Sequence, residues 1–242
     1  EGRSRFADLL RRLGSTFPDV WIRFLTSHPR DLDRDAIRAI AETPNVCEYV
    51  HLPLQSGSDR ILAAMNRGYD SETYLSRVKA LRDSVEGVVL STDIIVGFPG
   101  EREEDFRHTL EMVELCRFDA AFTFLYNPRP GTAAARLPDD VSPAEKGARM
   151  ERLLAVTRRL TAESLRARVG REELVLVEGP SARDPGRWRA RTRGNQLVHF
   201  PRGKEDLAGR FARVHITASG SWCLQGSLRE VPGQKFPPRG IG

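Results

Sequence analysis

Polar and glycine residues follow three apolar, β-branched runs of this sequence, at the points where predicted strands end. The first such loop is 51–58 (HLPLQSGS), the second combines 91–93 (STD) with 97–101 (GFPGE), and the third is 126–132 (YNPRPGT). In parallel α/β sheets the loops after the strands form the active face, because helix N-termini and free backbone amides converge there. These loops therefore predict a binding site at one edge of a parallel sheet.

Asp93 stands inside an otherwise apolar predicted strand, 88–96. An unpaired carboxylate in such a place would cost several kcal/mol, so it must have partners. A carboxylate at that position can accept hydrogen bonds from both hydroxyls of a ribose, which makes Asp93 a candidate binding residue. The alternative is a structural aspartate that is bonded to neighbouring backbone.

Arg67 stands twelve residues after Gln55, at the predicted end of the helix that follows the first loop. A guanidinium there could reach back to the strand end and clamp a ligand carboxylate through two hydrogen bonds. The alternative is an arginine that only offsets the helix dipole. His28 and His51 have no serine, cysteine or metal-ligand companion at a suggestive spacing, so structural roles are favoured for both.

The elements that must position these residues form two successive patterns. Up to residue 165, short apolar runs alternate with amphipathic stretches, which is typical of a parallel α/β sheet. Beyond residue 170, five short strands separated by Gly and Pro predict a small β-barrel. The predicted helices are 6–13, 31–41, 58–66 with Ser58 as N-cap, 69–85, 101–116 and 143–168 with Ser142 as N-cap, and the predicted strands are 21–25, 47–54, 88–96, 120–126, 173–178, 188–192, 196–200, 210–218 and 222–228.

Length and composition limit the class of protein that this chain can belong to. A chain of 242 residues with 40% apolar content can bury one large core and one small one. No apolar run is long enough to span a membrane, and residues 1–14 have no signal-peptide core, so we expect a soluble, cytoplasmic protein without a membrane partner. The three cysteines, Cys47, Cys116 and Cys223, lie far apart and are predicted to be reduced thiols, and the sequence offers no metal site.

The basic charge belongs to the C-terminal part of the chain. Residues 166–242 hold 15 Lys and Arg against 7 Asp and Glu, a net charge of +8, whereas residues 1–165 hold 23 against 26. A compact basic module on a nearly neutral body suggests a polyanionic partner. In the strand 188–192 and just beyond it, Trp188 with Arg189, Arg191 and Arg193 offers aromatic and phosphate contacts for RNA. The alternative is a solvated basic strand.

Four strings, in order, carry a specific resemblance. They are IRFLTSHP (22–29), HLPLQSGSDRILAAMNRGY (51–69), STDIIVGFPGE (91–101) and YNPRPGTAAA (126–135). Together they resemble the second half of the MiaB-type methylthiotransferases, and the part after residue 170 resembles the RNA-binding TRAM domain. The resemblance implies an α/β fold: a partial (β/α) radical SAM barrel of TIM-like type that lacks its first strands, over 1–168, then a small all-β, OB-like TRAM barrel over 169–235. We expect the Pro- and Gly-rich stretch 232–242, which includes a terminal tail at 236–242, to be disordered.

The resemblance also implies an activity. The family uses S-adenosyl-L-methionine (SAM) bound to a [4Fe–4S] cluster, together with a second cluster, to add a methylthio group to C2 of an N6-modified adenosine next to the tRNA anticodon. By resemblance, Arg67 would bind the SAM carboxylate and Asp93 the ribose hydroxyls. Gln55 and Ser56 would form the strand-end surface against which SAM lies. The implied RNA partner is the tRNA anticodon arm, while catalytic residues and the sulfur donor stay unassigned.

The sequence departs from the family pattern in its cysteines. Family members carry three cluster cysteines in a first domain and a CxxxCxxC loop in the first part of the barrel, and neither is present here. We therefore expect the cluster ligands to lie in a missing N-terminal half of the same protein, and this chain alone to be catalytically silent. Two alternatives stay open: a ribosomal-protein aspartate methylthiotransferase, and a degenerate RNA-binding module without catalysis. The net charge of +8 favours tRNA.

Overall fold

Buried apolar side chains form two separate cores. The computed structural model describes residues 5–25 and 28–233. The larger core collects side chains between Ala7 and Leu160, from helices and a parallel sheet, and the smaller one lies between Leu165 and Leu224, in a β-barrel. Three predictions concern residues outside the described ranges: those on residues 1–4, on positions 26–27 of the TSHP string, and on the disorder of 234–242.

Six α-helices are described, and a 3₁₀ turn at Ala134–Arg136 precedes the last of them. The helices are α1 (Phe6–Thr16), α2 (Arg34–Glu42), α3 (Asp59–Ala64), α4 (Ser71–Ser84), α5 (Glu103–Cys116) and α6 (Pro143–Arg166). Within the described residues, no helix combines the length and the apolar character that crossing a bilayer requires.

Side-chain caps mark where α2, α3, α4 and α6 begin. The hydroxyl of Ser58 accepts a hydrogen bond from the amide of Ile61, and Ser142 forms a capping box with Glu145, so both predicted N-caps are confirmed. Helix α2 begins three residues later than predicted, because Asp33 accepts a hydrogen bond of 2.7 Å from the amide of Ala36.

Three parallel strands form the sheet of the larger domain, in the order β1–β2–β3. They are β1 (Tyr49–His51), β2 (Val89–Val96) and β3 (Ala120–Leu125). The prediction of a strand at 21–25 was wrong, because only one parallel bridge, between Ile22 and Val46, pairs this segment with the rest of the sheet. Two of its side chains turn to the barrel instead: Trp21 packs on Phe211 at 4.9 Å between ring centroids, and Arg23 donates to the Thr192 carbonyl.

The barrel after α6 closes through five strands. They are β4 (Glu172–Pro180), β5 (Arg187–Thr192), β6 (Leu197–Pro201), β7 (Phe211–Ser219) and β8 (Leu224–Glu230), and they follow the order β4–β5–β6–β8–β7. All five predicted strands are found. Alternate residues of β5 point inward, so Trp188 and Ala190 are fully buried while Arg189 and Arg191 point outward.

The turn between β5 and β6 docks on the larger domain. Arg193 contacts both carboxylate oxygens of Glu48, at 2.7–2.9 Å, and also donates to the carbonyl oxygens of Pro44 and Val46. A Cβ on Gly194 would lie 2.4 Å from the Val89 side chain, so the turn packs tightly against the beginning of β2. This nearly buried ion pair joins the two domains.

Helix α5 holds the loop that follows β1. The amide of Gly57 donates to the Thr109 hydroxyl at 2.9 Å, and the Ser58 hydroxyl donates to Asp105 at 2.6 Å. Burial acts to raise the pKa of Asp105, but hydrogen bonds from Arg60 and Ser58 outweigh it and hold the pKa below its usual value. The loop therefore has a defined conformation at the end of β1.

The first testable prediction concerns the docking ion pair. We expect Arg193→Ala to lower the free energy of unfolding by about 2–3 kcal/mol, because it removes the charged partner of a nearly buried carboxylate, that of Glu48. The matched control is Arg210→Ala, which breaks the exposed pair with Glu205 and should cost less than about 1 kcal/mol. Urea unfolding followed by circular dichroism measures both, and equal losses would contradict the assigned role.

The second prediction concerns the packing of the loop on α5. A Cβ on Gly57 would lie 2.5 Å from the carbonyl oxygen of His108 and 2.6 Å from the Cα of Thr109. Gly57→Ala should therefore destabilise the protein by about 2–3 kcal/mol. The control Gly147→Ala lies within α6 with no atom within 4 Å of the added Cβ, and it should stabilise by about 0.5–1 kcal/mol. A thermal midpoint for Gly57→Ala that matches the unmodified protein would refute this packing.

Candidate functional site

The sheet of the larger domain has one face that packs on helices and one that does not. Val50, Leu90 and Ile94 join the core that the helices complete. The side chains of the residues between them point to the opposite side of the sheet, because successive strand residues face opposite sides. We call that side the open face, and it is defined by Tyr49, His51, Ser91, Asp93 and Phe122.

Asp93 lies at the centre of the open face. Its Oδ2 atom is 3.3 Å from Nε2 of His51, and its side chain is 28% exposed. Within the described part of the chain, no hydrogen bond reaches its Oδ1 atom. Oδ2 therefore lies against the His51 ring, and Oδ1 is available to a ligand.

A chain of polar side chains continues from Asp93 to β1. His51 Nδ1 lies 2.8 Å from the Ser91 hydroxyl, which lies 2.7 Å from the Tyr49 hydroxyl. The imidazole also meets the edge of Phe122 at 5.9 Å between ring centroids. Phe122 pairs with Asp93 across the two strands and is 52% exposed, so an aromatic ring stands beside the carboxylate.

Gln55 extends the pairing of β1 and β2 beyond the end of β1. Its amide donates to the Asp93 carbonyl at 2.8 Å, and its own carbonyl accepts from the Ile95 amide at 2.9 Å. Gln55 has a φ of 66°, a left-handed conformation that is uncommon for a residue other than glycine. The structure thus brings Gln55 and Asp93 together through the backbone.

Ser56 is placed differently from the sequence-based expectation. Its side chain is fully buried, and its hydroxyl accepts from the Ser58 amide at 3.2 Å and lies 3.4 Å from the Thr109 hydroxyl. The expectation that Ser56 forms part of the strand-end surface against which SAM lies is therefore corrected, because Ser56 has no exposed surface and its hydroxyl faces α5.

Arg67 lies in the loop between α3 and α4. The neighbouring Tyr69 hydroxyl donates to the carbonyl oxygens of Pro53 and Leu54 at 3.1 and 3.2 Å, which ties this loop to the end of β1. Burial raises the pKa of Tyr69 to about 12, and the positive charge of Arg67 opposes that rise. The Arg67 guanidinium makes no hydrogen bond or ion pair with the described residues, so it is free to bind an anion.

Buried charges hold the loop after β2. Glu101 accepts from the Gly97 amide at 2.8 Å and from Arg149 at 3.1 Å, and both carboxylate and guanidinium are nearly inaccessible. Burial raises the pKa of Glu101, while the Gly97 amide and Arg149 act against that rise. Helix α6 therefore fixes the GFPGE loop through Arg149.

The candidate RNA-binding arginines do not form one set. Arg189 and Arg191 point outward on β5, where both contact Glu178, at 2.9 and 3.5 Å. Arg193 is 15% exposed and is occupied by Glu48, so its assignment to phosphate binding is corrected. Trp188 is fully buried in the barrel core and cannot stack on a base, which corrects that expectation too.

The described residues do not fit an iron–sulfur cluster. Cys47 and Cys116 are buried, in different parts of the large domain, and Cys223 lies in the barrel. Burial raises the pKa of both buried thiols, that of Cys116 to about 12, which disfavours the thiolate that a cluster needs. Over residues 5–25 and 28–233, no three His, Cys, Asp or Glu side chains are grouped as metal ligands.

Three residues of the site were not predicted from the sequence: His51, Ser91 and Phe122. Alternation was the available signal, because polar residues stand two apart at 49 and 51 and again at 91 and 93. In a strand, residues two apart share a face. The two pairs face the same side only when the strands are neighbours in the observed register, with His51 opposite Ser91, and the sequence alone does not state that register.

Comparisons with known proteins match both parts of the chain. The model of the radical SAM superfamily matches residues 2–113, and that of the TRAM domain matches residues 166–228. The stretch between these ranges belongs to neither, so the domain boundary that we placed between 168 and 169 stays a prediction.

Curated relatives share nearly half of the residues. The tRNA-2-methylthio-N(6)-dimethylallyladenosine synthase of Thermoanaerobacter pseudethanolicus is 46% identical over 93% of this chain and 48% of its own length. The protein of the same name from Chlorobium luteolum is 49% identical over 92% of this chain and 50% of its own length. The chain spans about half the length of the curated relatives that it matches.

A solved structure supports the fold. The chain is similar to coproporphyrinogen III oxidase (HemN) from Escherichia coli, a radical SAM enzyme, with a TM-score of 0.51 and 16% identity over 86% of this chain and 51% of that one. Together with the parallel sheet and the closed five-stranded barrel, this confirms the predicted fold class. The chain is thus similar to the MiaB-type methylthiotransferases over 92–93% of its length, and its two parts match the radical SAM superfamily and the TRAM domain.

Proposed function

We propose that this chain is the SAM-binding and RNA-binding part of a tRNA methylthiotransferase. The whole protein would add a methylthio group to C2 of an N6-modified adenosine next to the anticodon, in the cytoplasm. The observation that carries the proposal is Asp93: a partly exposed carboxylate on the open face of the sheet, beside the exposed ring of Phe122, with no hydrogen bond to its Oδ1 atom among the described residues.

Three residues at the strand ends suit the parts of SAM. Asp93 would accept hydrogen bonds from the ribose hydroxyls. Arg67, which has no partner among the described residues, would bind the carboxylate of the methionine part. Gln55, locked by its two backbone bonds to β2, would shape the surface beneath the cofactor. Bound SAM supplies radical chemistry in this superfamily, and the cluster that it requires would be held by residues outside this chain.

The substrate side of the proposal rests on the small barrel. Its net positive charge and the outward Arg189 and Arg191 suit contact with the phosphates of an anticodon arm. The relatives named above modify an adenosine of tRNA according to their name, which favours tRNA over a ribosomal-protein substrate. The proposed partner for catalysis is a cluster-binding N-terminal half of the same protein, and the sulfur donor is not assigned.

The third prediction tests the ribose assignment. In a reconstituted full-length enzyme, Asp93→Asn should weaken SAM binding about 10- to 100-fold, the range expected when hydrogen bonds to a charged group are lost. Asp83→Asn is the matched control, because Asp83 lies on the outer side of α4 in an exposed pair with Lys79. Isothermal titration measures both, and unchanged affinity in Asp93→Asn would refute the assignment.

The fourth prediction tests the RNA surface. Replacing Arg189 and Arg191 together by Ala should weaken tRNA binding and reduce the slope of log affinity against log salt by about 1.4–1.8, which is the loss of two phosphate contacts. The matched control replaces Arg210 and Arg213 by Ala, which removes the same charge from β7 and the turn before it. Filter binding at several salt concentrations separates them. The same loss in both double variants would point to net charge and not to this surface.

A further inference from the structure

A tryptophan is exposed in the turn between β7 and β8. Trp222 is 63% exposed, whereas Trp188 is fully buried in the barrel core and Trp21 packs on Phe211. A single exposed apolar residue is common on protein surfaces, so exposure alone does not make Trp222 a site. The way in which the indole is held, and the groups that share its surface, decide what it can bind.

The turn that carries Trp222 is short and closed. Ser219 and Leu224 form the last pair of strand residues, and between them the amide of Gly220 donates to the carbonyl oxygen of Cys223 at 2.8 Å. A ring presented from a closed turn loses little conformational freedom when it binds a partner. It also offers a wide, rigid apolar surface.

The strand register joins this turn to the outward face of β5. Leu224, two residues after Trp222, lies opposite Val198 of β6. On the other side of β6, Leu197 lies opposite Arg191. Neighbouring strands are about 4.8 Å apart, so the beginning of β8 lies about 10 Å from the strand that carries Arg191. Trp222 therefore stands at one end of the surface that the outward arginines of β5 form.

A row of polar side chains connects the arginines to β8. Arg189 lies opposite His199, which lies opposite Gln225, so the row crosses β5, β6 and β8. Along each of these strands the adjoining residues are buried in the barrel, so the three side chains point away from the core. One outward surface thus contains the arginines, further hydrogen-bonding groups and, at its end, the indole.

Positive charge and an aromatic ring select different features of RNA. Guanidinium groups bind the phosphates of paired and unpaired RNA alike, and their contribution to affinity falls as salt rises. An indole stacks on a base only when that base is unpaired, and every base has a face on which it can stack. The stem of an anticodon arm offers phosphates, and its loop offers unpaired bases.

We propose that Trp222 stacks on an unpaired base of the RNA that the outward arginines bind. This inference rests on the proposed function, because it needs RNA at Arg189 and Arg191. It replaces the aromatic contact expected of Trp188, whose ring lies in the barrel core. The arginines then supply the salt-dependent part of the affinity, and Trp222 supplies the preference for unpaired over paired RNA.

The experiment compares two RNAs on the 242-residue chain by filter binding at several salt concentrations. The probes are an anticodon stem–loop and a fully paired duplex with the same number of phosphates. The unmodified chain should prefer the stem–loop about 5- to 150-fold, the range that one stacked base contributes. Trp222→Ala should reduce this preference to about twofold or less, and it should leave the salt slope unchanged because it removes no charge.

Two further variants separate stacking from a general loss of apolar surface. Trp222→Phe keeps an aromatic ring, so most of the preference should remain. Phe17→Ala removes a ring that is 51% exposed on the large domain, and it should leave the preference unchanged.

The outcomes distinguish this inference from the proposed function. If the unmodified chain shows no preference, or if Trp222→Ala keeps it in full, the inference is overturned, although the proposed RNA surface stands when replacement of Arg189 and Arg191 weakens both RNAs. If the unmodified chain binds neither RNA, or if that double variant binds both as well as the unmodified chain, the proposed RNA surface itself fails and the inference fails with it.

Tryptophan fluorescence gives a second measurement that does not depend on affinity. Stacking on a base quenches indole emission, so the stem–loop should quench the emission of the unmodified chain and the duplex should not. Trp222→Phe should remove this quenching, because Trp188 is buried and Trp21 packs on Phe211. Equal quenching in Trp222→Phe would place the stacked base elsewhere and overturn the inference.

Discussion

The parallel pairing of β1 with β2, continued through Gln55, is the constraint on which the rest of the structure depends. Two backbone hydrogen bonds on Gln55 carry the register past the end of β1 and require the left-handed turn of that residue. A shift of one residue would turn His51 toward the core and Val50 to the open face, because alternate strand residues face opposite sides. The register therefore decides that His51 and Asp93 meet at all.

Buried polar contacts keep the loops around this register from moving. Asp105 on α5 holds the loop after β1, and Arg149 on α6 holds the loop after β2 through Glu101. Charges in such places are stable only when each has its partners, so these contacts define one loop conformation and not several. These contacts are buried, whereas Oδ1 of Asp93 and the Arg67 guanidinium make no hydrogen bond with the described residues.

The three arginines in and beside β5 of the small barrel have two different environments. Arg193 joins the barrel to the large domain through Glu48, whereas Arg189 and Arg191 remain outward and only partly occupied by Glu178. Docking through a nearly buried ion pair fixes how the barrel is presented relative to the sheet. An RNA bound on the outward arginines would therefore meet the open face in a set orientation, which a flexible linker would not provide.

The sequence by itself determined the local features and the family. Apolar periodicity, Ser58 and Ser142 as helix caps, the five short strands and the four motif strings each depend on neighbouring residues, so they could be read without coordinates. Asp93 and Arg67 were predicted as binding residues in the same way, from a charge in an apolar strand and a spacing. Only the tertiary structure decided that Arg193 binds Glu48, that Trp188 and Ser56 face inward, that 21–25 makes one bridge, and that His51 meets Asp93. The physical reason is that these outcomes join residues far apart in the chain, 145 positions in the case of Arg193 and Glu48, and side-chain direction across such distances is set by packing and not by local pattern.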